Sequence, residues 1–94
     1  MFKCVVKMFG LPYGLTDRNE VELELNDGAS LRDLIIALKK KIPALEGPVF
    51  DKDSDKISEQ YKFNVNGLFY YDSVEEIEIK NGDDISLLTI IAGG

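Results

Sequence analysis

Apolar and polar residues alternate along the first stretch of the chain, with Phe2, Cys4, Val6 and Met8 on one face and Lys3, Val5 and Lys7 on the other. That period of two predicts a half-buried strand. Gly10-Leu11-Pro12-Tyr13-Gly14-Leu15-Thr16-Asp17 breaks the pattern. A second alternation then runs from Glu20 to Leu25, with Val21, Leu23 and Leu25 inward and Glu20, Glu22 and Glu24 outward. Antiparallel pairing of the two strands sets Lys3 and Lys7 opposite the glutamate row, and each such pair contributes about 0.2–1 kcal/mol. The glutamates therefore read as a paired, solvated face rather than a metal site.

After the turn signal Asn26-Asp27-Gly28 the period becomes helical: Leu31, Leu34, Ile35, Leu38 and Ile42 form one apolar stripe. Ser30 is a suitable N-cap, Asp33 suits the first turn, and Lys39-Lys40-Lys41 suits the last, where the lysines read as a solvated helix end. Pro43 stops the helix, which is predicted over about 30–42. From Ala44 to Gln60 no period holds. Gly47-Pro48 marks a bend, and Asp51, Asp53 and Asp55 are spaced like the start of a calcium loop. Lys56 stands where such a loop needs glycine, however, and Lys62 where it needs glutamate, so this reads as a surface loop.

Tyr61, Phe63 and Val65 alternate against Lys62 and Asn64, and Asn66-Gly67 predicts a tight hairpin into Leu68-Phe69-Tyr70-Tyr71. Asp72 to Ile79 fits either a helical turn or a short edge strand. Asn81-Gly82-Asp83-Asp84 leads into a last strand with Ile85, Leu87 and Ile91 toward the core and Ser86, Leu88 and Ile90 away from it. Because this segment is almost uniformly apolar, it is predicted to lie centrally, beside the first strand. The expected fold is α+β: a β-grasp, a mixed sheet of four to five strands packed on one main helix.

Composition narrows the function. With 94 residues, the chain supports one core without staples. A net charge of -6 argues against an electrostatic grip on nucleic acid or anionic lipid. One cysteine and no histidine leave no internal disulfide and little scope for zinc or triad chemistry. Cys4, on the apolar face, reads as a small buried hydrophobe. Lysines interrupt the N-terminal stretch where a signal peptide needs an apolar core, and no run approaches a membrane span, so a cytoplasmic location is expected. No nucleophile with a base, phosphate-binding loop or metal set is visible, and the chain is expected not to be an enzyme.

The last strand runs into Ala92-Gly93-Gly94. Lacking Cβ atoms, two glycines fit a slot too narrow for side chains, and three extended residues past Ile91 reach about 10 Å. Residues 1–91 are expected to form the β-grasp domain and 92–94 a flexible tail.

Together these residues resemble the sulfur carriers of the MoaD/ThiS type, the small subunit of molybdopterin synthase and the thiamin sulfur carrier, which share the ubiquitin fold. Met8-Phe9-Gly10 is similar to the end of that family's opening strand. Gly28-Ala29-Ser30-Leu31-Arg32-Asp33-Leu34-Ile35-Ile36-Ala37-Leu38 with Ile42-Pro43-Ala44-Leu45 resembles its helix and proline stop. Asn64-Val65-Asn66-Gly67 resembles its hairpin, and Asn81 to Leu88 its entry to the last strand. Two departures are visible: no proline precedes the tail, and the 44–60 loop is longer than in compact members, as in archaeal-type versions of which some also modify proteins.

The resemblance implies that Gly94 is adenylated by an E1-like enzyme using ATP and converted to a thiocarboxylate, with Gly93 and Ala92 as the tail that presents it. It implies sulfur donation in molybdopterin biosynthesis with a synthase large subunit, and no cofactor bound to this chain. Alternatives are a ubiquitin-like modifier joined through Gly94 to lysines of other proteins, a carrier for thiamin or another thio-metabolite, and an interaction module with an inert tail. Val5, Leu88 and Ile90, all outward, are the candidate docking patch.

Overall fold

The computed structural model describes residues 1–11, 19–71 and 77–90. Its five strands are β1 (Phe2–Phe9), β2 (Glu20–Leu25), β3 (Tyr61–Val65), β4 (Leu68–Tyr70) and β5 (Ile85–Thr89), with one α-helix, α1 (Leu31–Lys41), and a 3-10 turn at Pro43–Leu45. The sheet order is β2-β1-β5-β3-β4. Strand β5 is central, parallel to β1 and antiparallel to β3, and the other neighbouring pairs are antiparallel. This is the expected β-grasp, with five strands.

Inward residues of the sheet meet one face of α1. Cys4, Val6, Met8, Val21, Leu23 and Leu25 are buried as the alternation predicts, and so are Tyr61, Phe63, Val65, Ile85 and Leu87. Leu31, Leu34, Ile35 and Leu38 lie fully buried on the helix, each worth about 1.5–3 kcal/mol against exposure. At its start, Ser30 Oγ accepts from the Asp33 N–H at 3.2 Å and Asp33 Oδ2 accepts from the Ser30 N–H at 2.9 Å. Two otherwise orphaned donors are satisfied by this reciprocal cap. The helix ends at Lys41, one residue before the predicted limit, with Ile42 as its buried C-cap. Pro43 then opens the 3-10 turn rather than only stopping the helix.

Asn66 and Gly67 both have positive φ, the geometry of a tight hairpin turn. Asn66 also ties this turn to the start of β5: its side chain accepts from the Asp84 N–H at 2.9 Å and donates to Asp83 at 3.0 Å. Of the ambiguous Asp72 to Ile79 segment, residues 72–76 lie outside the described residues. Ile77–Ile79 pairs with the entry to α1, where the Leu31 N–H meets the Ile77 carbonyl at 2.7 Å and the Ile79 N–H meets that of Ala29 at 2.8 Å.

Two expectations need correcting. The 44–60 segment is more than a loop: beside the surface loop expected at 51–56, it sends Leu45, Val49, Phe50 and Ile57 into the core, and Phe50 stacks on Phe63 with centroids 6.0 Å apart. Nor is Lys39 a solvated helix end, since its side chain is 11% exposed. Its ammonium donates to the carbonyls of Asp51 at 2.9 Å and Ser54 at 2.8 Å, with Asp55 Oδ1 at 3.7 Å. Arg32 Nε donates to the same Asp55 at 2.8 Å. A hydrogen bond from Ser54 holds the Asp51 carboxyl below its ordinary range. The aspartate loop that mimics a calcium site thus closes around a lysine of the helix.

Replacing Lys39 by Met keeps the aliphatic stem and removes the ammonium. Urea unfolding is expected to show a loss of about 1.5–3 kcal/mol, since the lost bonds are charge-assisted. Amide exchange should quicken at Asp51, whose N–H bonds the Lys56 carbonyl. Lys40→Met, at an exposed position, should stay within about 0.5 kcal/mol of the parent.

Candidate functional site

The chain leaves the sheet at the end of β5, between the last residues of β1 and the first of β3. The Ile90 N–H donates to the Gln60 carbonyl at 2.7 Å, and Thr89 Oγ1 donates to the same carbonyl at 3.3 Å. On the other side Gly10, at φ +73°, comes so close that an added Cβ would stand 2.5 Å from Thr89 Cγ2. Gln60 and Gly10 thus form a collar around the exit of β5. The tail residues Ala92, Gly93 and Gly94, and the predicted inward Ile91, lie outside the described residues.

Outward side chains around this exit fall into rows set by the strand register. One row runs Phe9, Leu88, Lys62 across β1, β5 and β3. The next runs Lys7, Ser86, Asn64, Phe69. The Lys62 ammonium lies 4.0 Å from the Phe69 ring centroid and 5.7 Å from that of Tyr71. Cation–π attraction of this kind holds Lys62 over the rings and contributes about 0.5–1 kcal/mol at an exposed site. Phe9, Phe69 and Tyr71 are each about half exposed, Ile90 is 37% exposed, and Leu88 is half-buried. The result is a group of apolar side chains around the end of β5, with Lys62 held among them and Lys7, Ser86 and Asn64 in the adjoining row.

Of the three predicted patch residues, Leu88 and Ile90 therefore sit together at the exit. Val5 shares their sheet face, but it pairs with Glu22 and stands four residues along β1 from Phe9, roughly 13 Å away. Phe9 is the β1 neighbour of Leu88. Extending the alternation of β1 by one position would have placed Phe9 outward, and counting outward from the Asn66-Gly67 turn would have set Phe69 opposite Asn64 and so diagonal to Lys62 on the same face. Both signals were present in the pattern.

Cys4 lies on the opposite, inner face. Burial, with the charge of Asp83 nearby, pushes its thiol up to about 11, so it stays protonated and unreactive at neutral pH. Among the described residues no group of three or more acidic, cysteine or histidine side chains is placed to hold a metal ion, and no helix is long and apolar enough to cross a membrane.

The family model of the ThiS family matches residues 6–94. This chain belongs to the ThiS family. Members of this group are small ubiquitin-like carrier proteins rather than catalysts. Among solved structures, the ThiS-family chain resembles a putative molybdopterin converting factor, subunit 1, from Pyrococcus furiosus, at 29% identity and TM-score 0.71, covering 97% of this chain and 100% of that one. It also resembles SAMP1 from Haloferax volcanii, at 23% identity and TM-score 0.78, covering 98% and 99%. A third likeness is to the BexX/CysO complex of Amycolatopsis orientalis, at 21% identity and TM-score 0.66, covering 96% and 98%. The last two attest the fold alone. No curated protein matches the chain.

The collar yields a test. Gly10→Ala is expected to cost about 1–3 kcal/mol in urea unfolding, from its left-handed backbone and from the contact with Thr89. Adding Thr89→Ser removes Cγ2 and keeps the hydroxyl, so the double variant should recover part of the loss. The backbone share should remain.

Proposed function

We propose that this ThiS-family protein carries sulfur as a thiocarboxylate on Gly94 and donates it in molybdopterin biosynthesis, as the small subunit of molybdopterin synthase. The observation that carries the reading is the family match through residue 94, on a chain whose central strand ends at Thr89, five residues earlier. Four residues beyond Ile90 reach about 13 Å at most, enough to enter a partner's cleft while the body stays at its mouth.

A carboxylate resists substitution because its oxygen is a poor leaving group. In the proposed cycle the Gly94 carboxylate attacks the α-phosphorus of ATP on an E1-like partner, releasing pyrophosphate and forming an acyl adenylate. A hydrosulfide equivalent then forms the C–S bond as the C–O bond to AMP breaks, leaving the thiocarboxylate. Within a synthase large subunit, that sulfur is the nucleophile toward the acceptor. ATP belongs to the activating partner, and the chain itself supplies an acyl terminus and a docking face.

Docking is assigned to the outward surface of Leu88 and Ile90 with Phe9, and Val5 lies on its flank. Apolar side chains gathered on one sheet face around the tail's base suit recognition by a partner that must also seat the tail. The Pyrococcus likeness favours the molybdopterin pathway. A second reading, conjugation of Gly94 to lysines of other proteins, shares the adenylation step, and a small archaeal modifier protein of Haloferax volcanii has the same fold.

Incubation with ATP, a sulfur source and an E1-like activating enzyme should raise the intact mass by the difference of one sulfur for one oxygen. Deleting Gly93 and Gly94 should abolish the shift. An unchanged mass together with covalent adducts to other proteins would support the modifier reading instead. Leu88→Asp, at a half-buried position, should leave the domain folded and weaken binding to the activating enzyme at least about tenfold by titration calorimetry. Equal binding would overturn the docking assignment.

A further inference from the structure

Strand β2 ends the sheet opposite β4 and pairs with β1 on one side only. The Met8 N–H donates to the Asn19 carbonyl at 2.8 Å. By the alternation of an antiparallel ladder, the main-chain groups of Val21, Leu23 and Leu25 then face β1, and those of Glu20, Glu22 and Glu24 face outward from the sheet edge. Among the described residues no strand pairs with that side.

Beneath this edge, α1 leaves a trough. One depression is lined by Glu22, Leu23, Glu24, Ala37, Lys40 and Lys41, and a second continues from it past Leu25 and Ile36, sharing Glu24, Ala37 and Lys40. Ala37, half-buried and short, leaves the gap between helix and edge unfilled. An open ladder above a trough lined by apolar Leu23 and Ala37 together with charged Glu22, Glu24, Lys40 and Lys41 is an arrangement that β-strand addition uses.

We infer that this edge receives an extended segment of another protein as a sixth strand, with apolar side chains in the trough at alternate positions and lysines or arginines between them. The outer face defines the charge. Lys3 and Lys7 of β1 stand opposite Glu24 and Glu20, and Lys3 Nζ lies 3.7 Å from Glu22, so two cations answer three carboxylates from the β1 side. A strand on the other side meets the same glutamates and needs the same chemistry as β1, apolar inward and basic outward. Its basic groups project on the sheet face away from α1 and do not meet Lys40 and Lys41. A second copy pairing through β2 is disfavoured, because it would set glutamate rows against each other. The site is separate from the Leu88 surface, with β1 between them, and does not rest on the sulfur-carrier reading.

The test titrates the isotopically labelled full chain with a capped octapeptide alternating valine and lysine, and with its glutamate counterpart, following amide shifts and exchange by NMR. Shifts should gather on Glu20–Leu25 and on residues 37–41, amide exchange should slow at Glu22 and Glu24, and the glutamate peptide should bind at least tenfold more weakly. Glu22→Lys with Glu24→Lys should reverse that preference. Ala37→Leu, which fills the trough and favours helix, should abolish binding and keeps the test decisive if the charge-reversed chain fails to fold. Shifts confined to the Leu88 surface, equal binding of the two peptides, no binding of either, or a dimer formed through β2 would each overturn the proposal.

Discussion

The structure depends on β5 being hydrogen-bonded along both edges. Ile85 and Leu87 are fully buried beneath it, and the strand joins β1, from the start of the chain, to the β3–β4 hairpin. A parallel neighbour cannot be reached by a tight turn, so β2, α1, the 44–60 segment and the hairpin all lie between the two strands that touch. The core closes only when that long loop closes. Placing the last strand centrally therefore makes the end of the chain depend on the whole fold, although it lies at the sequence's edge.

The same strand divides its side chains between two tasks. Its inner residues hold the helix, and its outer residues form the surface around the exit. Because the period is two, a slip of one residue would exchange the sets, burying Ser86 and Leu88 and exposing Ile85 and Leu87. The bond from Asn66 to Asp84 at one end of β5 and those to Gln60 at the other pin this register. In a ThiS-family carrier, packing specificity and the geometry of presentation are one constraint.

Legibility followed the range of the interactions. β1, β2 and α1 were readable because alternation, the Ser30–Asp33 cap and the stripe from Leu31 to Ile42 are local signals, and Asn66-Gly67 announced its turn through the backbone conformation it tolerates. The 44–60 segment was not, because Leu45, Val49, Phe50 and Ile57 are buried by distant partners such as Phe63 and share no period. Lys39 was misread for the same reason: its acceptors lie twelve to fifteen residues away and are main-chain carbonyls, invisible in side-chain pattern. At the candidate site, Leu88 and Ile90 were legible by alternation, while the separation of Val5 from them required the β1–β5 register, which no single segment contains.

Parallel pairing of β1 with β5 also sets how the domain bears force. A pull on the tail against an anchor at the start of β1 runs along both strands and loads their hydrogen bonds together in shear, not one after another as in peeling a hairpin. In the proposed cycle, a partner holding the end of the chain would therefore load the whole ladder at once rather than one bond at a time.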